Sequence, residues 1–156
     1  MMPLEYHELC LCRLQAKIFE LSVKDTNYSS PVFIRRFMMS KYVKIFDEFD
    51  YLFTSCNLED TFDELDDEYG KTTYGKIKYS QDEMYWIGYI YRVISIKFNL
   101  SSKQIFKLFK ASEIIDYYPI YHTYDIVDAA DRMIEEKLGN TTTNQERTLA
   151  FMRNKQ

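Results

Sequence analysis

Apolar positions along this chain recur mostly at helical spacing. Leu4, His7, Leu11, Leu14, Ile18 and Leu21 step by 3, 4, 3, 4 and 3, which sets them on one face of a helix. The spacing predicts a first helix over 4–23, broken by the turn formers Asp25-Thr26-Asn27. A second helix starts at Ser30, a natural N-cap, with Pro31 at the first helical position, where a missing N–H costs nothing. It is expected to run towards Phe49, with Ile34, Met38, Lys41 and Ile45 on one side and Phe33 and Phe37 broadening it. Leu58, Phe62, Leu65 and Tyr69 then predict a short amphipathic helix with an acidic outer face. The segment from Tyr69 to Lys76 carries Tyr-Gly-Lys twice and reads as an exposed loop, with a short extended piece at 76–79.

The second half is better punctuated. Ser80 and Glu83 form a capping box, with Tyr79 and Met84 placed as its hydrophobic staple. Ser101 and Gln104 repeat the box, and Leu100 can staple to Ile105. The third helix, over 80–98, is apolar nearly all round, the mark of a central helix. The fourth is expected to stop before Pro119, because the residue ahead of a proline is pushed out of helical geometry. That leaves Tyr117 to His122 as an aromatic linker. A fifth helix is predicted from Thr123 as N-cap, with Asp125 in its first turn and Gly139 as its left-handed stop. The pattern predicts an all-α fold: a single compact bundle of five or six helices over 1–139. Residues 140–156 form a polar tail, either disordered or a short helix capped by Thr143 and Glu146.

Composition agrees with this picture. At 156 residues, with 46% hydrophobic and 28% charged residues, the chain reads as one globular domain. Four Gly and three Pro are too few for the turns of an all-β fold. No apolar run approaches the roughly 20 residues of a membrane-spanning helix, and the N-terminus lacks the basic start of a signal peptide. A cytoplasmic location, with no membrane partner, is expected. Cys10 and Cys12 diverge on a helix and Cys56 has no Cys or His neighbour, so free thiols are expected rather than a metal site. The net charge is −4. Residues 57–70 hold seven acids and no base, leaving 20 Lys and Arg against 17 acids elsewhere. Neither part has the basic footprint of a nucleic-acid binder.

Few constellations carry chemistry. The acidic run lacks the odd-position ligands and central Gly of a calcium loop. It reads as a solvated face, or as a charged face for a basic partner. Tyr85, Gly88, Tyr89 and Arg92 lie a helical turn apart in series, with Trp86 beside them. Either Gly88 admits a neighbouring helix while Arg92 pairs with an internal acid, or the aromatic and Arg residues anchor another protein. His122, with Tyr121, Tyr124, Asp125 and Asp128, is the nearest approach to an acid–base cluster. No nucleophile accompanies it, so a capping or hydrogen-bonding role is the alternative. Ser30, Arg35 and Arg36 at a helix start are candidate anion-binding residues. There is no phosphate-binding loop, nucleophile elbow or zinc spacing, and no cofactor is implied. The segment Leu100 to Phe109, with Lys103, Lys107 and Lys110, can also be taken for a DNA-reading helix, though one without Arg or Asn near its start.

The block Glu83-Met84-Tyr85-Trp86-Ile87-Gly88-Tyr89-Ile90-Tyr91-Arg92, then Ser101-Ser102-Lys103-Gln104-Ile105-Phe106, then Tyr121-His122-Thr123, resembles a family of small uncharacterised helical proteins from Firmicutes. The stretch Phe33 to Ser40, with Asp47 beyond, is similar to the first half of these proteins. The family looks like antitoxin-type or accessory components of toxin–antitoxin modules. This chain departs from it by a shortened approach to His122 and by its polar tail. The resemblance implies a non-enzymatic protein that neutralises a partner, possessing no cofactor, by covering a basic or nucleotide-binding cleft. Tyr85, Trp86, Tyr89, Arg92 and His122 are the expected partner-binding residues. The rival expectations are an enzyme or nucleotide-binding protein in which Arg35, Arg36, Arg92 and His122 converge on one pocket, and a DNA-binding regulator.

Overall fold

The computed structural model describes residues 3–48 and 58–139. Cys56, the expected end of the second helix at Phe49 and the tail from Asn140 lie outside them. Eight helices occupy the described residues, and no strand is found among them. They are α1 (Tyr6–Asp25), α2 (Ser30–Met39), α3 (Lys44–Asp47), α4 (Asp60–Tyr69), α5 (Gln81–Phe98), α6 (Ser102–Leu108), α7 (Ala111–Tyr121) and α8 (Ile126–Leu138). The all-α expectation holds, whereas the count of five or six does not.

Two predicted helices are divided, and in each case a side chain takes over the backbone. The second ends at Met39 because the Ser40 hydroxyl donates to the Phe37 carbonyl and accepts from the Val43 amide. The Lys41 amide is held by the Glu68 carboxylate from α4. The chain then restarts as α3. The predicted fourth helix breaks at Phe109, whose carbonyl accepts from the buried Tyr91 hydroxyl at 2.6 Å. Pro119 does not stop α7; it lies in the last turn. The bias against helix before a proline is overridden there, because only one helical donor is lost, at an exposed end.

The caps were largely readable. Both capping boxes form, at Ser80 with Glu83 and at Ser101 with Gln104. Two predicted caps shift. Ser29, not Ser30, caps α2 by accepting from Val32. Asp125, not Thr123, caps α8 by accepting from Val127 and Asp128. The loop 70–80 has no strand; it is tied to the start of α2 by the Ser29 amide on the Tyr74 carbonyl and the Ser30 amide on the Ile77 carbonyl.

Helix α5 is central, as its all-round apolarity implies, packing against α1, α6, α7 and α8. Its main partner is α1. That contact buries Cys12, Gln15, Ala16, Phe19 and Ser22 of α1, while Leu11, Leu14 and Leu21 flank it half-buried. Of the predicted face, Ile18 is fully buried whereas the leucines form the shoulder, because Ala16 is what lets the two backbones close on Gly88. Phe19 packs edge-on against Phe33, Phe37 and Tyr91, and Phe37 against Phe46, so rings join α1, α2, α3 and α5 in one cluster.

Candidate functional site

The face expected around Tyr85, Gly88, Tyr89 and Arg92 is mostly the α1–α5 interface. A Cβ at Gly88 would stand 2.7 Å from Phe19 Cγ and 3.0 Å from the Ala16 Cα. The Gly88 carbonyl accepts from Gln15 Nε2 at 3.0 Å. Arg92 is 0% exposed. Its Nε donates to Gln15 Oε1, Nη1 to Asp47 Oδ1 and Ser95 Oγ, and Nη2 to Ser102 Oγ, all within 3.1 Å. Asp47 also accepts from the Ser102 hydroxyl and amide. The guanidinium is thus filled from inside. The expectation that Arg92 anchors a partner is corrected: its charge needs the Asp47 carboxylate and cannot reach another molecule. Trp86 is corrected likewise, being 7% exposed and edge-on to Tyr118. Tyr85 and Tyr89 remain half-exposed, 6.1 Å apart. Burial raises the pKa of Tyr89, and Arg13 opposes this.

The anion site expected at Ser30, Arg35 and Arg36 does not assemble. Ser30 is buried and its hydroxyl accepts from the Tyr79 amide. Arg36 is buried between the Tyr28 and Tyr69 rings and donates to the Gly70 carbonyl, with Asp66 at 3.5 Å. Arg35 points outward and is exposed. The first-turn donors of α2 are taken by loop 70–80 and by Ser29, so no anion is needed there.

Nor do Arg35, Arg36, Arg92 and His122 converge. Two clefts among the described residues measure about 480 and 450 Å³, and none of the four lines either. Arg92 is sealed inside, Arg36 lies between the Tyr28 and Tyr69 rings, and Arg35 and His122 are exposed, so neither of these clefts is the shared pocket of the enzymatic alternative. No cluster of His, Cys, Asp or Glu suited to a metal is found there either. No helix among them is long and apolar enough to cross a membrane. Lys103, Lys107 and Lys110 are exposed, but α6 has only seven residues, and the Ser102 amide and hydroxyl at its start face inward to Asp47.

Tyr6, Tyr74 and Ile77 are exposed singly, whereas α7 and the turn before α8 present a group of rings in contact. Tyr117 stacks on Tyr121 and Tyr118 on His122, at 6.1 and 4.5 Å, each pair one helical turn apart. Phe109 meets Tyr117 edge-on, and Tyr121 meets Tyr124 edge-on at 5.1 Å. Ile120 is 56% exposed and Tyr124 43%. His122 is also exposed, and its Nδ1 lies 2.7 Å from the Tyr118 carbonyl. This is the hydrogen-bonding alternative for that histidine. Carboxylates border the rings: Tyr121 donates to Glu136 at 3.3 Å, and Lys137 pairs with Glu113. The pKa of Tyr121 is raised, first by desolvation and then by Glu136. Of the expected partner-binding residues only His122 belongs to this surface. Sequence reasoning misses Tyr117, Tyr121 and Tyr124 as anchors, because 117–122 reads as a linker and Tyr124 only as a neighbour of His122, although the ring density is visible.

Compared with protein-family models, with curated proteins and with solved structures, the chain matches none.

Proposed function

We propose that this chain is a non-enzymatic binding module that works by covering a surface of a partner protein, as an antitoxin-type neutraliser would. The observation that carries the reading is the row of half-exposed rings on α7, ending in exposed Tyr124 and Ile120. Tyr supplies large contact area with little rotamer entropy to lose, which is why Tyr, Trp and Arg dominate interface hot spots. The residues that carry the family resemblance divide in a telling way. Trp86, Gly88 and Arg92 serve the interior, whereas His122 and Thr123 are exposed beside the ring row. The recognition surface in this reading therefore sits at the α7–α8 corner and not on α5.

The test is co-expression with the product of the adjacent gene, followed by affinity capture. The double variant Tyr121→Ala, Tyr124→Ala should keep its helical circular dichroism and lose capture, since hot-spot truncations cost about 2 kcal/mol or more each. Undiminished capture by a folded double variant would remove this surface from consideration.

A further inference from the structure

The ring row holds a cation at each end. Lys137 Nζ lies 5.7 Å from the Phe109 centroid and pairs with Glu113. Arg132 Cζ lies 5.3 Å from the Tyr124 centroid. The middle step has the same ingredients but no cation over its rings; Arg132, seated on Tyr124, reaches Tyr121 only through its charge. Tyr117 and Tyr121 stack there, and Glu136 accepts from the Tyr121 hydroxyl. Among the described residues no Lys or Arg lies over either ring, and Glu136 has no ion-pair partner. Exposed Asp116, Asp125 and Asp128 add negative charge nearby in the chain. A ring face beside a carboxylate attracts a guanidinium or ammonium more than an apolar group, because the ring quadrupole and the full charge pull the same way.

From this unfilled step we infer that the partner docks through a basic segment, one of whose Arg or Lys side chains seats on Tyr117 and Tyr121 against Glu136. The inference rests on the proposed binding surface and adds the chemistry of what meets it. The neutral rings and the acid select against an acidic segment, which Glu136 would repel. The acidic helix α4 is the other negative face, but its outward side offers acids alone. Its one exposed ring, Tyr69, already lies under Arg36.

The experiment is an amide-resolved NMR titration of the full chain at fixed ionic strength with three end-blocked twelve-residue probe peptides. One alternates Gly with Arg, one Gly with Lys, and one Gly with Leu. The Arg and Lys probes should shift Tyr117, Tyr121 and Glu136 signals. Glu136→Gln should weaken that binding roughly three- to tenfold, as should Tyr121→Leu, in line with one cation–π contact. Asp63→Asn with Asp67→Asn on α4 should leave it unchanged. Basic probes that shift only α4, or a Glu136→Gln variant that binds them unaltered at the α7 step, would overturn the inference. Should the Leu probe alone occupy the step, the surface would stand as a docking site and its cationic specificity would fall. If no probe shifts the step, the inference also falls, while the capture experiment still judges the surface itself.

Discussion

Arg92 joins α5 to α1, α3 and α6 through Gln15, Asp47 and Ser102. A fully buried guanidinium is tolerable only because it is hydrogen-bonded on every side, which is the condition for burying charge at all. Such a network contributes little net stability compared with an apolar replacement, yet losing one member strands the others. Arg92→Met should therefore cost about 3–5 kcal/mol, read as a lowered urea midpoint. Adding Asp47→Asn should restore part of that loss, since the amide oxygen can still accept from Ser102 and no carboxylate is left unpaired. A double variant no more stable than Arg92→Met would show that Asp47 is not what Arg92 neutralises.

Helices α1 and α5 meet at Gly88, where the approach is set by the base of the buried Phe19 side chain and the Ala16 backbone, not by adjustable side-chain ends. Alanine is worth about 1 kcal/mol more than glycine inside a helix, so propensity alone favours Gly88→Ala. The added methyl would meet Phe19 and the Ala16 backbone at 2.7–3.0 Å, and overpacking of that kind costs about 1–3 kcal/mol. Packing should win. Gly88→Ala is expected to lower the thermal midpoint, and a higher midpoint would mean that α1 can slide away at no cost. Side-chain hydroxyls account for the division of two predicted helices. Ser40 and the Tyr91 hydroxyl each satisfy a backbone group that a continuing helix would have used. A Ser is visible as a competitor in the sequence. A Tyr hydroxyl arriving from 18 residues away is not.

Burial, full in the core and partial at its edge, keeps phenols and a thiol protonated. Burial pushes the Cys12 thiol from 9.0 up to about 12 and holds the Tyr91 phenol well above its ordinary 10.0. Tyr28, Tyr69, Tyr79, Tyr89, Tyr117 and Tyr121 move the same way, each chiefly through desolvation. In every case the folded state holds its proton to higher pH than the unfolded chain. Stability is then fully present below about pH 9 and is lost as pH rises through the window above it. The urea midpoint should be flat from pH 7 to 8 and fall beyond pH 9, by up to about 1.4 kcal/mol per pH unit for each of the fully buried groups Cys12 and Tyr91 and by much less for the exposed phenols, whose charge water screens. Cys12→Ala should flatten the fall between pH 9 and 10, whatever its effect on the midpoint at neutral pH. A wild-type midpoint unchanged at pH 10.5 would contradict the burial of these groups.

Helix content, the central place of α5 and both capping boxes could be read from the chain, because periodicity and capping act over three or four neighbouring residues. So could the ring density after Phe109. The side of each helix that faces inward was harder. Gly88 and Arg92 had two readings until Phe19, Gln15 and Asp47 were beside them, and those partners lie 45–77 residues away from Arg92 and Gly88 along the chain. The outward surface could not be assigned from its rings alone either. A tyrosine is as much at home in a core as on a face, and its place depends on how much of the interior the other helices have already filled.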